Sequence, residues 1–215
     1  MQPSKFFHSL FYFTLLLPLA LCAAKRNAWV TIVNNTPYSI SGVGLLHKYS
    51  NVYAEKCVWE KILPGKESSR CQVSYNTGFF TTGKDWWRVF GHSDRDPVLR
   101  NSMTQWYSDP DNFRAFFDFF DRAAPALIGV ALKAAGFVNP QLRPVAAVAR
   151  VVADAICNAL LNDAGTAGYE QHILRKKDEG MVTRVYINND RSIIFASPSG
   201  NSKTDLSTAV VKLGL

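Results

Sequence analysis

The stretch Tyr75–Phe90, YNTGFFTTGKDWWRVF, combines six aromatic residues with small, hydroxylated and turn-forming ones. This composition predicts two strands, Thr77–Thr82 and Trp86–Phe90, that pair around a glycine turn. Because successive side chains of a strand point to opposite faces, Trp86 and Trp87 cannot both enter the same core. We therefore expect one indole inside the fold and the other on its outer face, either exposed to a ligand or covered by another element.

An outward indole would lie among the other aromatic residues of the same stretch and one lysine. Aromatic rings beside a cation suit a membrane interface or the face of a sugar ring. The candidate binding surface therefore comprises Phe79, Phe80, Lys84, Trp86 and Trp87. If helices cover the outward indole instead, it belongs to a second core.

Short β-forming segments lie on both sides of this stretch. They are rich in β-branched and aromatic residues and are separated by turn residues. Spacings near ten residues predict a sandwich or a barrel. The predicted strands are Ala28–Val33, Ile40–His47, Lys56–Leu63, Arg70–Tyr75, His172–Leu174, Met181–Ile187 and Ser192–Ala196, with a last strand or short helix over Leu206–Leu213.

The hydrophobic period changes to a helical one between the two β halves. Four phenylalanines, Phe113, Phe116, Phe117 and Phe120, recur at helical spacing. Pro125 and Gly129 should kink or interrupt this helix, and an apolar stretch over Ala123–Val138 continues it. A second helix has its apolar face on Val145, Val148, Val151, Val152, Ala155, Ile156, Ala159 and Leu160, with Arg150 and Asp154 spaced to pair on its other side.

These helices are too short and too charged to be good resting transmembrane spans. Two interpretations stay open: a helical hairpin packed on the β structure or in a dimer interface, or a hairpin that is released on lipid and inserts. The predicted organisation is a signal peptide over 1–24, which further processing could extend to 26, a β half over 27–108, a helical insertion over 109–163 and a second β half over 164–215 that completes the same domain.

The N-terminus resembles a secretory signal peptide. Lys5 precedes an apolar run, Phe11–Cys22, and two alanines follow the run. The full sequence has a net charge of +7, and the leader holds Lys5, Lys25 and Arg26 without an acidic residue, so the chain after residue 26 keeps +4. We expect a secreted, extracellular protein that does not bind nucleic acid, because the only dense basic cluster is Arg175-Lys176-Lys177.

Secretion makes the cysteines disulfide candidates. Leu63-Pro64-Gly65-Lys66 is a turn signal midway between Cys57 and Cys71. A hairpin at that turn would place the two cysteines opposite each other, which predicts a Cys57–Cys71 bridge worth roughly 3 kcal/mol by loop-closure entropy. Cys157 is left as a buried free thiol or a partner in an intermolecular bridge. Asn34 begins the candidate glycosylation sequon Asn34-Asn35-Thr36.

Few residues of the sequence suggest a catalytic or metal-binding site. His47, His92 and His172 are widely separated and no metal-ligand motif appears, so we expect neither a metal nor a cofactor. One suggestive polar cluster combines Asp85 with His92-Ser93-Asp94, and a polar turn explains it better than a hydrolase does. We name no catalytic residue, and an enzyme is the least favoured class.

Four segments then point to a family: VTIVNNTPYSIS, HKYSNVY, YNTGFFTTGKDWWRV and SPSGNSKT. They resemble the PUD-type family, named for nematode proteins up-regulated in long-lived daf mutants and also found in fungi. The resemblance covers about Trp29–Phe90 and, more weakly, Gln171–Thr204. It implies a β-sandwich similar to the aegerolysins, which are noted for lipid binding, and pairing as a homo- or heterodimer. No catalytic residues are established for the family.

The sequence thus predicts a mainly β, aegerolysin-like sandwich, α+β overall, with a helical hairpin between its two β halves. The expected role is non-enzymatic recognition or interaction outside the cell, with a lipid or glycan ligand. The alternatives are a membrane-binding or pore-forming protein that uses the aromatics and the helical hairpin, and a hydrolase of unknown substrate.

Overall fold

A computed structural model describes residues 23–78, 81, 83–96, 98–99, 101–110, 124–137, 144–163 and 165–214. The strands are β1 (Ala24–Asn35), β2 (Ile40–Tyr49), β3 (Tyr53–Ile62), β4 (Cys71–Thr77), β5 (Asp85–Ser93), β6 (Val98–Leu99), β7 (Ser102–Asp109), β8 (Glu170–Gln171), β9 (Val182–Asn188), β10 (Ser192–Ser197) and β11 (Gly200–Lys212). The helices are α1 (Ala124–Ala134), α2 (Val145–Leu161) and a 3₁₀ turn at Lys176–Asp178.

All of these strands belong to one sheet, whose main path runs β3-β2-β5-β7-β11-β10-β9-β1-β4. Neighbours are antiparallel except β1 and β9, which are parallel. The strands that follow the helices, β9 to β11, lie between β7 and β1, so both parts of the chain build the same sheet. The predicted mainly β fold with helices between two β halves is confirmed.

The sheet is nearly closed, and its two edges meet without a strand ladder. β3 and β4 are the edges, and the disulfide Cys57–Cys71 joins them with the Cα atoms 6.2 Å apart. Side chains of β3 at alternate positions make the other links: Tyr53 Oη to Asn76 Oδ1 (3.1 Å), Glu55 Oε2 to the Ser74 amide (2.7 Å) and Trp59 Nε1 to the Ser69 carbonyl (2.9 Å). The predicted bridge is confirmed, but the predicted hairpin is wrong.

The inner core fills the space that the curved sheet encloses. Its residues come from strands on every side of the barrel, including Val30, Leu45, Trp87, Val185 and Phe195, all of them fully buried. Every second residue of each strand points inward, which accounts for the period-two pattern that identified the strands. The two layers predicted as a sandwich are therefore opposite walls of one sheet.

The outer core lies between the sheet and the helical hairpin. Leu46 and Phe90 from the sheet meet Val152 and Ile156 from α2, all buried. β2 is consequently buried on both faces along its whole length. A bulge in β2 places Gly42 at φ +53°, and a Cβ there would lie 2.2 Å from the Ala149 carbonyl oxygen. This glycine lets the backbone of α2 approach the strand closely.

Several local predictions are corrected. Gly129 does not interrupt α1, and a Cβ there would lie 2.3 Å from the Gly214 carbonyl oxygen. Pro125 stands in the first turn of α1, where proline is tolerated, and its predicted effect on the preceding helix falls outside the described residues. Arg150 and Asp154 pair with Glu60 and Lys56 of β3 rather than with each other, because α2 lies against that strand. The four phenylalanines Phe113, Phe116, Phe117 and Phe120 lie outside the described residues.

Two strand predictions also change. β5 pairs with β2, β7 and β8, so the described part of Thr77–Thr82 is not its partner. The segment SPSGNSKT, which lies between the predicted strand Ser192–Ala196 and the predicted element Leu206–Leu213, is largely the start of β11, a single strand that extends to Lys212. β7 was not predicted at all, although it is a central strand.

Candidate functional site

The two tryptophans lie on opposite faces of β5, as the pleat of a strand requires. Trp87 is fully buried in the inner core, where its Nε1 donates to the His172 carbonyl at 2.8 Å. Trp86 is half-buried against the outer core, and the ammonium of Lys84 lies 5.8 Å from its ring centre. The outward indole thus packs in part against the outer core, and the candidate binding surface that includes it stays a prediction. Phe79 and Phe80 lie outside the described residues.

A buried ionic cluster lies next to Trp87. His47 is fully buried between two carboxylates, with Nε2 2.9 Å from Asp85 Oδ1 and Nδ1 3.2 Å from Glu55 Oε2. The imidazole lies 4.3 Å from the Trp87 ring. The other oxygen of Asp85 accepts the amide of Leu174 at 2.8 Å. The cluster therefore ties β2, β3, β5 and the segment before β9 together.

Burial by itself would lower the pKa of His47, but hydrogen bonds and charges from Asp85 and Glu55 outweigh it and leave the pKa raised. Burial would raise the pKa of Glu55, yet His47 and the Ser74 amide leave it lowered. The charged forms thus stabilise each other. Both ring nitrogens are engaged by carboxylates, so His47 has no nitrogen left to take a proton from a nucleophile. The ionic cluster of His47, Asp85 and Glu55 therefore has a structural role.

The polar cluster considered for a hydrolase does not assemble. Asp85 begins β5, and His92 lies seven residues further, about 23 Å along an extended strand. His92 is buried with Nδ1 2.8 Å from the Thr104 carbonyl oxygen. Asp94 pairs with Lys61 at 2.8 Å and accepts from Ser41. The three groups share no cleft.

A cavity of about 390 Å³ opens at the other end of β5, where the barrel interior meets solvent. Trp106 and Ile40 belong to the inner core, and Leu206 packs against it. The remaining lining residues come from the β1–β2 loop, the segment after β5, β7, the β9–β10 turn and β11: Thr36, Tyr38, Ser93, Arg95, Asp96, Thr104, Ile187, Asn188, Asn189, Arg191 and Thr208. The cavity thus combines an apolar wall with a polar rim.

Trp106 is the most distinctive group of this cavity. It is only 5% exposed, and its Nε1 has no hydrogen-bond partner. A Cβ on Gly91 would lie 2.5 Å from Trp106 Cζ2, so the glycine makes room for the indole against β5. Other buried side-chain atoms, such as His92 Nε2 and Thr204 Oγ1, also lack a partner among the described residues, and such groups are often completed by water or a ligand.

Two arginines lie at the rim. The Arg95 guanidinium is 5.4 Å from the centre of the Tyr38 ring, and its Nε is 4.0 Å from Asp96 Oδ1, beyond hydrogen-bond distance. Arg191 adopts a left-handed backbone conformation with φ 62°, and Nη2 reaches the Leu206 carbonyl only at 3.4 Å. With one carboxylate against two guanidinium groups, the rim has a positive balance.

Asn34 does not suit glycosylation in the folded chain. Its side chain is fully buried, and Nδ2 donates to the carbonyls of Tyr38 (2.8 Å) and Ile62 (3.0 Å). A glycan on that nitrogen would remove a hydrogen bond and needs space that the fold does not leave. The predicted acceptor instead organises the β1–β2 loop, because its Oδ1 accepts from the amide and hydroxyl of Thr36.

Cys157 is a free thiol, fully buried in the outer core, as one of the two predictions had it. Burial raises its pKa to about 12, which keeps it protonated and unreactive. Over the described ranges, no group of three or more histidine, cysteine or acidic residues could hold a metal ion. Nor does the described part of the chain contain a helix long and apolar enough to cross a membrane.

A family model described as "Up-Regulated in long-lived daf-2" matches residues 24–206. The chain belongs to this family. The matched range includes strands from both β halves and the intervening helices, so the PUD-type family covers the helical insertion as well as the sheet. No curated protein matches the chain. The more distant likeness to aegerolysins stays a prediction.

Sequence reasoning missed the cavity residues of this PUD-type chain. Trp106, Arg95 and Arg191 lie far apart in the sequence and none stands in a motif. The segment Ser102–Asp109 could have indicated part of the cavity, because its side chains alternate between the two cores and one of them is a tryptophan. Recognising it as a central strand would have placed Trp106 on the inward face.

Proposed function

We propose that this chain is an extracellular recognition protein, which binds its ligand in the cavity at the open end of the barrel without transforming it. The observation that carries the proposal is a cavity lined from several separate segments, whose wall includes Trp106 with a buried Nε1 that has no hydrogen-bond partner among the described residues. Binding sites on rigid scaffolds commonly combine an apolar wall with a few polar groups that set orientation.

The cavity lining favours binding over chemistry. The hydroxyl groups of its described lining belong to Thr36, Ser93, Thr104, Thr208 and Tyr38, and none of these described lining residues is a histidine, lysine or cysteine. A hydroxyl nucleophile needs a neighbouring base to be activated. Among the described lining residues the one carboxylate is Asp96, and its Oδ1 lies 4.0 Å from Arg95 Nε.

Two features support action outside the cell. The disulfide Cys57–Cys71 closes the barrel, and structural disulfides persist mainly in oxidising compartments. The N-terminal residues also carry the sequence pattern of a secretory signal. Detection of the cleaved chain in the medium of expressing cells, with this disulfide formed, would support secretion; retention of the full chain inside the cells would contradict it.

A glycan array and a panel of free sugars, probed with the secreted protein, test recognition directly. We expect binding of at least one sugar class, lost when Trp106 is replaced by Phe, with the sugar recovered unchanged by mass spectrometry. The matched control is Trp86→Phe, which alters a half-buried indole outside the cavity. Turnover of a bound sugar would overturn the non-enzymatic proposal, and binding that survives both substitutions would place recognition elsewhere.

A second candidate, membrane binding, is favoured by the outer side of α1. Leu127 and Val130 are 47% and 69% exposed there, and Lys133 follows on the same helix. Apolar residues beside a lysine suit the surface of an anionic bilayer. Vesicles of phosphatidylcholine with and without phosphatidylserine test it: we expect sedimentation with the anionic vesicles, reduced in Val130→Ser, and no co-sedimentation at low salt would exclude it.

A further inference from the structure

The donor in the cavity calls for an acceptor from a ligand. Trp106 is only 5% exposed, its indole lies against Gly91, and its Nε1 has no hydrogen-bond partner in the part of the chain that the structure describes. A buried N–H that stays unpaired carries a penalty of about 1–3 kcal/mol. A ligand hydroxyl or carboxylate oxygen that reaches Nε1 removes this penalty, so the site favours an oxygen-rich molecule.

The rim adds a preference for negative charge. Arg95 and Arg191 approach the cavity from two different segments, and no carboxylate of the described residues lies within hydrogen-bond distance of either guanidinium. Guanidinium groups bind carboxylates through paired donors, and such bonds are stronger than neutral ones. A ligand that brings a single negative charge would be bound from both sides of the opening.

The remaining lining determines the size and surface of the ligand. Ile40, Ile187 and Leu206 supply an apolar wall, whereas Asn188, Asn189 and Thr104 offer amides and a hydroxyl. A volume of about 390 Å³ is at the small end of ligand pockets. A compact ring with hydroxyl groups on its edge and C–H groups on its face matches both surfaces.

We propose that this cavity binds one sugar residue that carries a carboxylate, with the acid group between Arg95 and Arg191 and a ring hydroxyl accepting from Trp106. This inference rests on the proposed function and narrows its ligand to acidic sugars. Neutral sugars lack the group that the arginines bind, and simple anions lack the ring that meets the apolar wall.

Isothermal titration calorimetry of the secreted protein with three probes tests the ligand class: glucuronate, glucose and inorganic phosphate. We expect glucuronate to bind at least tenfold more tightly than either of the others. Phosphate binding as tight as that of glucuronate would reduce the site to an anion site, and glucose binding as tight would remove the role of the arginines. Either result overturns the inference.

Single substitutions separate the two contributions. Arg191→Asn retains a residue that tolerates the left-handed backbone and should weaken glucuronate at least tenfold while leaving glucose unchanged. Trp106→Phe keeps a ring but removes the N–H, and should weaken both sugars several-fold with their ratio unchanged. Arg70→Gln, at an exposed arginine that does not line the cavity, is the charge-matched control and should change neither.

The failure of this inference is distinct from that of the proposed function. If glucuronate does not bind but another sugar binds and is lost in Trp106→Phe, the cavity is a recognition site and the acidic-sugar class is wrong. If no sugar binding responds to Trp106→Phe, both proposals fail. Glucuronate binding that persists undiminished in Arg191→Asn and Arg95→Gln contradicts the assigned contacts. Folding of each variant is checked by its thermal unfolding temperature.

Discussion

The inner and outer cores of this chain are stabilised in different ways. The inner core contains a buried His47 between Asp85 and Glu55, an indole that donates to a backbone carbonyl, and a disulfide at the edge of the sheet. The outer core is mainly aliphatic, with Phe90, Tyr107 and Tyr169 as its buried aromatic residues and with α2 lying on β2. Directed polar bonds specify one arrangement of the barrel, whereas the helical hairpin depends on close apolar packing.

Polar contacts of the outer core lie at its rim. Lys48 donates to the carbonyls of Asp163 and Gly165, and Arg88 donates to those of Ala167 (2.7 Å) and Gly168 (3.1 Å). Both cations thus satisfy backbone oxygens just after α2, where the helix dipole favours positive charge. The two faces of one strand can therefore be stabilised differently: directed hydrogen bonds and ion pairs stabilise the inner face, and close packing of apolar side chains stabilises the outer face.

The largest expected effect separates the two adjacent indoles. Trp87→Ala removes a fully buried ring and its hydrogen bond to His172, and should lower the free energy of unfolding by about 3–5 kcal/mol. Trp86→Ala, its matched control, removes a half-buried ring and should lower it by about 1–2 kcal/mol. Urea unfolding at neutral pH measures both. Equal losses would contradict the assignment of the two rings to different cores.

Loss of the disulfide should follow in size. Cys57→Ser with Cys71→Ser opens a link between residues 14 apart and should destabilise the protein by about 3 kcal/mol. Because β3 and β4 share no ladder, hydrogen exchange should also accelerate selectively at these two edges. Reduction of wild-type protein by dithiothreitol is an independent control, since Cys157 forms no disulfide. Uniform acceleration across all strands would argue against a local opening of the seam.

The packing of the outer core is tested at its closest contact. Gly42→Ala places a methyl group 2.2 Å from the Ala149 carbonyl oxygen and forces a non-glycine residue into φ +53°. We expect a loss of about 1–3 kcal/mol, with faster exchange in α2. Gly65→Ala is the matched control, because Gly65 has a similar φ of +67° and nothing within 4 Å of its Cβ. Similar losses in both variants would assign the effect to backbone strain alone.

The smallest effect concerns pH and the ionic cluster. The raised pKa of His47 gives stability that is complete below 6.5, the ordinary value, and is lost as pH rises through the folded pKa. The lowered pKa of Glu55 gives stability that is complete above 4.5 and is lost as pH falls through its folded pKa. The contribution of this pair to the free energy of unfolding is therefore largest between about pH 4.5 and 6.5.

The pH dependence is tested by comparing the free energy of unfolding of Glu55→Gln with that of wild type at each pH. The substitution keeps an acceptor for the Ser74 amide but removes one of the two charges that hold His47, so the variant should lose less stability than wild type on both sides of this range. The difference also removes the opposing contribution of His172, whose pKa is lowered by burial. Urea unfolding between pH 4 and 9 gives the two profiles, and parallel profiles would contradict the proposed coupling.

Much of the fold could be predicted from local patterns. Alternation in β1, β9 and β10 and the helical period of α2 identified those elements, because burial of one face leaves a direct record in the sequence. The same reasoning failed for β3 and β4, where a turn signal and matching strands indicated a hairpin. Ladder partners are chosen by the whole sheet, so β3 pairs with β2 and β4 pairs with β1.

The candidate site was less accessible to such reasoning. The aromatic stretch attracted attention because its composition is unusual, yet Trp87 is there for the inner core and Trp86 for the outer one. Trp106 stands in an ordinary strand and becomes notable only because Gly91 of the neighbouring strand leaves it room and no acceptor reaches its nitrogen. Neither fact is a property of the residues near it in sequence.

By itself, the amino-acid sequence determined the period of most elements and the separation of two adjacent indoles, because these follow from geometry along a short piece of chain. Only the tertiary structure decided that the disulfide joins the edges of a single nearly closed sheet, that the helical hairpin lies over β2, and that Trp106 and two arginines meet at one opening. These depend on which distant strands become neighbours, and that choice is made by the free energy of the whole fold.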